Sequence, residues 1–149
     1  VIDTSDLSVH ELRDRIIEAF PHVRPTASMT ILSFGFKYGL PLDADLVVDM
    51  RFLPNPYWVP ELRKLDGTDH AVSDYVLTRP GAREFIDRYL DLLALIGDGY
   101  EREGKRYLTL AIGCTGGKHR SVAVAEEIGR RLGGRGRTVK VVHRDLGRE

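Results

Sequence analysis

The sequence predicts an α/β domain with a mainly parallel central sheet flanked by helices. Three observations carry that prediction. Short, almost wholly apolar runs stand at residues 46–50 (LVVDM) and 107–112 (YLTLAI), as strands of a covered parallel sheet do. Stretches with helical spacing of apolar residues alternate with them. A glycine-rich turn separates the second run from the next helical stretch. At 149 residues the chain fits one domain, able to bury roughly two-thirds of its unfolded surface.

The elements follow in order. Residues 1–8 read as a linker or a first strand, and residues 9–149 as the domain proper. Ser8 and Glu11 form a capping box, each side chain placed to meet the other's backbone amide. Leu12, Ile16, Ile17 and Phe20 then recur at helical spacing, and Pro21 ends the helix. Residues 26–34 read as a strand and 35–39 as a loop. The run at 46–50 reads as a strand buried on both faces. Residues 51–58 are irregular because Pro54 and Pro56 block regular pairing. A short helix is expected over 71–78. The longest helix spans 81–103, with Phe85, Tyr89, Leu92, Leu93 and Ile96 facing inward. A buried strand at 107–112, a helix over 120–132 and a strand at 138–142 complete the chain.

Composition narrows the function classes. Apolar residues make up 42% and charged residues 30%, an ordinary globular balance. No apolar run approaches the ~20 residues of a membrane span, and the first residues lack the pattern of a secretory signal. Cys114 is the sole cysteine, so no intrachain disulfide forms, which favours a reducing, cytoplasmic setting. The first residue is Val1 rather than Met, and the expectation is a piece of a longer protein. Net charge is zero, yet residues 118–149 carry nine Lys/Arg against four Asp/Glu, while residues 1–117 carry thirteen against eighteen. That asymmetry reads either as an anionic partner for the basic end or as two solvated faces that attract each other.

Chemistry concentrates at residues 113–121, GCTGGKHRS. The order strand, glycine turn, helix leaves the first-turn backbone N–H groups without helical partners, and the helix dipole adds partial positive charge there. Gly113, Gly116 and Gly117 supply backbone freedom and room for an oxyanion. Cys114, Thr115, Lys118, His119, Arg120 and Ser121 supply side-chain polar groups. The plain alternative is a tight turn with solvated cations. The spacing G-x-x-x-G-K is one residue short of a nucleotide P-loop, and His119 stands where its magnesium-binding hydroxyl belongs. ATP hydrolysis at this loop is therefore excluded. The spacing Cys114, five residues, Arg120, Ser121 matches a cysteine-phosphatase loop literally, with Cys114 as nucleophile. Against it, Gly113 replaces the usual preceding His and no acid loop is visible. The remaining template is a phosphate cradle that binds without catalysis.

Candidate companions lie after the other strands. Asp49, Arg51 and Asn55 follow the run at 46–50, where a parallel sheet places ligand groups. Arg51 suits a two-pronged phosphate contact, Asn55 suits sugar hydroxyls, and Tyr57 or Trp58 suits stacking. Lys37 follows the first internal strand. The five histidines show no metal spacing, and neither a metal nor another cofactor is expected. The basic stretch of Arg130, Arg131, Arg135, Arg137 and Lys140, with Arg144 beyond, reads as a solvated helix end and turn or as an RNA or partner-protein surface.

The stretches SFGFKYG (33–39), DAD (43–45), DMRFLPNP (49–56) and GCTGGKHRS (113–121) together resemble the carboxy-terminal domain of the RapZ/YvcJ family, over residues 1 to about 144. The resemblance implies a homo-oligomeric cytosolic regulator of cell-envelope amino-sugar metabolism, with a P-loop NTPase domain upstream of this one. It implies that this domain binds an amino-sugar phosphate such as glucosamine-6-phosphate, or a UDP-amino sugar. In some members it implies RNA binding and presentation of that RNA to an endoribonuclease. Relatives often carry His where this chain has Tyr57. In the tail, Asp145 and Glu149 dilute the Lys/Arg density, which predicts weaker, more salt-sensitive RNA contact through Arg135, Arg137, Lys140 and Arg144.

Overall fold

Branched and aliphatic side chains at residues 28–35, 46–49, 107–114 and 138–143 favour extended backbone, and they form four strands of one parallel sheet. A computed structural model describes residues 5–19, 27–134 and 138–148. Within them the order is α1 (Val9–Ala19), β1 (Ser28–Gly35), a 3-10 turn (Phe36–Tyr38), β2 (Leu46–Asp49), a second 3-10 turn (Pro56–Trp58), α2 (His70–Leu77), α3 (Ala82–Arg102), β3 (Tyr107–Cys114), α4 (Arg120–Gly133) and β4 (Thr138–His143). The strands lie in the order β2-β3-β1-β4, every pair parallel. The expectations for residues 1–4, Phe20, Pro21 and the start of the strand at Thr26 fall outside the described residues, as does the Ile17 side chain.

The capping box forms: the Ser8 amide donates to Glu11 Oε2 at 2.8 Å, and the Glu11 amide donates to Ser8 Oγ at 3.3 Å. The core lies between the sheet and α2, α3 and α4, around Ile31, Met50, Ile86, Leu110, Ile112 and Ile128. Helix α4 seats closely on the sheet because Gly129 leaves room: a Cβ there would stand 2.4 Å from Val141 Cγ2.

Two expectations are corrected. Strand β2 is not buried on both faces. It is an edge strand paired only with β3, and Val47 is 47% exposed while Val48 is buried. A run of four apolar-rich residues signals a covered sheet but not a position within it. The buried stripe of α3 is Ala82, Ile86, Leu90 and Leu93; Leu93 is where the spacing places it, and the rest of the stripe is rotated from the expected one. Phe85 and Tyr89 stack on each other at the margin, with Phe52 against Phe85, and Leu92 is half exposed. Ala82, Ile86, Leu90 and Leu93 carry the true phase, masked in the sequence by larger neighbours that cover the core edge.

The central strands bring their carboxyl ends together. Gly35 at the end of β1 is in register with Cys114 at the end of β3, and Asp49 at the end of β2 is in register with Gly113. Three loops therefore emerge side by side beyond the sheet, where ligands of open parallel sheets bind.

Candidate anion-binding site

Beyond those strand ends lies a cavity of about 510 Å³, within the usual range for small-molecule sites. Cys114, Thr115, Gly116, Lys118, His119 and Arg120 form one wall, and Lys37, Asn55, Tyr57 and Trp58 the others. The structure thus gathers most of the residues singled out in the sequence. Gly117 and Ser121 stand behind the wall, and Asp49 and Arg51 do not line the cavity.

The loop's backbone explains the arrangement. Three of its carbonyls are used internally: Thr115 O accepts from the Lys37 amide at 3.2 Å, Lys118 O from the Gly67 amide at 2.8 Å, and His119 O from the Ala123 amide at 3.0 Å. The amides of residues 116–121 donate to no protein oxygen among the described residues. Carbonyls tied back and amides left over make a polar, electropositive rim, which the amino end of α4 reinforces. Gly117 is the one loop glycine with positive φ, 73°, a conformation costly for any other residue. Gly113, expected as a flexible part of the loop, belongs to β3 instead. It is glycine because a Cβ there would stand 2.5 Å from both Phe34 and Phe36.

Neighbouring segments press this loop into shape. A Cβ on Gly35 would meet the Gly116 carbonyl carbon at 2.5 Å, and one on Gly67 would meet His119 O at 2.4 Å. Asp145, fully buried, accepts from the Gly35 amide at 2.8 Å and from Arg144 and Arg148. Burial alone would raise the Asp145 pKa, but the Arg144 guanidinium, the Gly35 amide and Arg148 outweigh it and hold it below the usual carboxylate range. Asp145, read in the sequence only as diluting a basic tail, is a buried counter-ion beneath the loop. The structural roles of Gly35, Gly67 and Asp145 escaped the sequence reading. A glycine beside polar residues, as in Asp66-Gly67-Thr68-Asp69, signals a turn and not what the turn rests against.

Arg120 is 4% exposed. Its Nη1 donates to the carbonyls of Arg51 at 3.1 Å and Leu53 at 2.9 Å, its Nη2 to Thr115 Oγ1 at 3.2 Å, and its buried Nε has no partner. Burial pushes the guanidinium pKa down, opposed by the nearby Cys114 and Asp49. Cys114 Sγ lies 3.1 Å from Ser121 Oγ. His119 is 6% exposed, with Nε2 buried and unpartnered. Burial and the Lys118 charge push its pKa below the usual histidine value, outweighing the carbonyls of Arg63, Leu65 and Leu62. The imidazole is therefore neutral at pH 7 rather than poised there. Lys118 Nζ donates to Arg63 O at 3.2 Å.

The remaining candidates separate cleanly. Arg51 spends its guanidinium on Asp49, with contacts of 2.7 to 3.0 Å, and lies 4.0 Å over the Phe36 ring; the pairing lowers the Asp49 pKa. Asn55 Oδ1 accepts from the Tyr57 amide at 3.2 Å, which caps the turn that carries Tyr57 and Trp58. Lys37 Nζ lies 5.0 Å over the Tyr38 ring. Trp58 is 73% exposed at the mouth of the cavity. Of the basic stretch, Arg130 pairs with Glu127, Arg131 with Glu127 and Asp87, and Arg144 with Asp145. Lys140 is exposed on β4, and Arg135 and Arg137 lie outside the described residues. Among the described residues no cluster of three His, Cys, Asp or Glu is placed to hold a metal ion, and no helix is long and apolar enough to cross a membrane.

Comparison with known proteins supplies a family. The RapZ C-terminal domain family matches residues 27–147. The whole chain is 65% identical to part of a nucleotide-binding protein of Parafrankia sp. (strain EAN1pec), covering 52% of that protein. It is 64% identical to one of Frankia alni, again over 52% of its length, and 63% identical to one of Streptomyces coelicolor, over 50%. The chain spans about half the length of the curated relatives it matches.

Proposed function

This chain belongs to the RapZ C-terminal domain family, and we propose that it is a regulatory binding domain for an amino-sugar phosphate or a UDP-amino sugar. One observation carries the reading: a cavity walled by a loop whose Thr115, Lys118 and His119 carbonyls accept from other backbone amides and whose own amides, from 116 to 121, have no protein acceptor among the described residues. A phosphate group satisfies those donors together with Thr115 Oγ1 and Lys118. Lys37, Asn55, Tyr57 and Trp58 on the facing wall offer a cation, an amide and two rings, a set suited to a sugar and, in the larger ligand, a uracil ring. The reading extends to a cytoplasmic homo-oligomer in which this domain reports metabolite level to an attached nucleotide-binding domain, and to RNA as a partner in some settings.

A cysteine phosphatase is the second reading, favoured by the 3.1 Å approach of Ser121 Oγ to Cys114 Sγ. It is the weaker one. The Arg120 Nη atoms are spent on the Arg51 and Leu53 carbonyls and on Thr115, where phosphoryl transfer needs them on the phosphate.

Isothermal titration with glucosamine-6-phosphate and with UDP-N-acetylglucosamine tests the proposal; saturable heat from at least one is expected, and none from either at millimolar ligand defeats it. Arg120→Ala is expected to weaken binding by about 1.5–3 kcal/mol, as for a lost charge-assisted hydrogen bond and the loop it holds. Turnover of a chromogenic phosphate ester that disappears in Cys114→Ser would promote the second reading instead.

A further inference from the structure

The binding reading leaves one wall residue without a task. Cys114 lines the cavity and is only 3% exposed. It stands 3.1 Å from the Ser121 hydroxyl and beside the Arg120 guanidinium. Arg120 is itself 96% buried and lines the same cavity, and its buried Nε has no partner among the described residues. The hydroxyl and the guanidinium beside the sulfur are both able to donate to an anion.

We propose that Cys114 is an oxidant-sensitive modification site, and that its oxidised form closes the anion site by supplying an anion of its own. Hydroperoxides are the oxidant class. The sulfur lone pair attacks the terminal peroxide oxygen, the S–O bond forms as the O–O bond breaks, and the departing oxygen takes up the thiol proton and leaves as water from hydrogen peroxide or as an alcohol from an organic hydroperoxide: the thiol loses two electrons to become a sulfenic acid, and the peroxide gains them. A second peroxide repeats the step and gives a sulfinic acid, which ionises to sulfinate. The sulfinate oxygens arise beside Ser121 Oγ and the Arg120 side chain, and their negative charge and bulk exclude an incoming phosphate. Conversely, a phosphate already in place covers the sulfur. Binding and oxidation are therefore mutually exclusive. The inference rests on the reading of this cavity as an anion site.

The test uses the 149-residue chain, with hydrogen peroxide and inorganic phosphate or glucosamine-6-phosphate as probes. Cys114 is the sole cysteine of this chain, so peptide mass spectrometry reports its oxidation without ambiguity and separates it from methionine oxidation. The expected results are that saturating phosphate slows Cys114 oxidation, and that protein carrying the two-oxygen form binds glucosamine-6-phosphate at least about tenfold more weakly. In Cys114→Ser, whatever its starting affinity, peroxide should leave that affinity unchanged. Reduced protein that binds while the oxidised form binds equally well overturns the gate alone. An oxidation rate at Cys114 indifferent to phosphate, in protein that binds it, does the same. Reduced protein that binds neither probe removes the anion site and the gate with it.

Discussion

Two parts of this chain looked suited to anions, and the structure treats them in opposite ways. At the glycine loop the donors are left over: among the described residues, amides 116–121 have no protein acceptor, and Arg120 Nε and His119 Nε2 are buried without partners. Along the carboxy-terminal basic stretch the described arginines are already paired, Arg130 and Arg131 with Glu127, and Arg144 and Arg148 with Asp145. The loop has few charges but unmet hydrogen-bonding capacity in a concavity. The stretch has many charges whose fields are largely cancelled at short range. Affinity for an anion follows the first property more than the second, because a buried, preorganised donor does not need to be desolvated or released from another partner when the ligand arrives.

The sharpest way to break that contrast is to deform the loop without touching a lining residue. Gly67→Ala places a Cβ about where His119 O, the Ala123 amide and the Val122 side chain already stand, at 2.4 to 2.6 Å. Backbone cannot yield as a side chain does, so a loss of about 3 kcal/mol or more in urea unfolding is expected, with ligand binding abolished in whatever folds. Asp145→Asn comes next. It strips a buried counter-ion from Arg144 and Arg148 while keeping an acceptor for the Gly35 amide, and an unfolding cost of about 1–3 kcal/mol is expected. The wild-type contribution of this carboxyl is fully present above its unfolded pKa of 3.8 and is lost as pH falls through its lower folded value. Asp145→Asn should accordingly lose less stability than wild type on acidification below pH 3.8.

A subtler effect separates the loop from exposed basic groups by pH. The folded pKa of His119 lies below the model-peptide value of 6.5. The unfolded chain therefore binds the proton first, and stability that is complete above pH 6.5 declines as pH falls toward the folded value. Thermal unfolding of wild type should drop across that window more than that of His119→Gln, and parallel curves would show that this imidazole is not the source. The smallest effect belongs to the other region: Lys140→Ala and Arg130→Ala should each change stability and sugar-phosphate affinity by less than about 0.5 kcal/mol. A large loss of sugar-phosphate affinity on either change would erase the contrast between the two regions.

Much of the fold was legible because its signals are local. The Ser8–Glu11 capping box, the strand-turn-helix order at 107–133 and the alternation of strands with helices depend on neighbours in sequence, and the structure carries them. What lay hidden depends on neighbours in space. Val47 reads like a residue of a covered strand, but the order of strands in the sheet leaves it on an edge. Phe85 and Tyr89 read as core because they are large, while the core phase of α3 passes through Ala82 and Ile86. At the site, Cys114 through Arg120 were visible as a motif, and Lys37, Asn55 and Tyr57 as residues after strands; the cavity gathers them with the exception of Gly117. Arg51 and Asp49 obeyed the same rule of position, yet their mutual bidentate pairing keeps both out of the wall. Spacing reveals that two groups are near, not which of the available partners wins.

Asp145 grips the end of β1 through the Gly35 amide, against which Gly116 and Gly117 lie. The shape of the phosphate cradle is thus underwritten by a chain segment that never faces the ligand. A truncation just after β4, sparing every wall residue, would loosen the cradle from behind, and the defect would resemble a binding-site mutation to any assay that follows ligand alone.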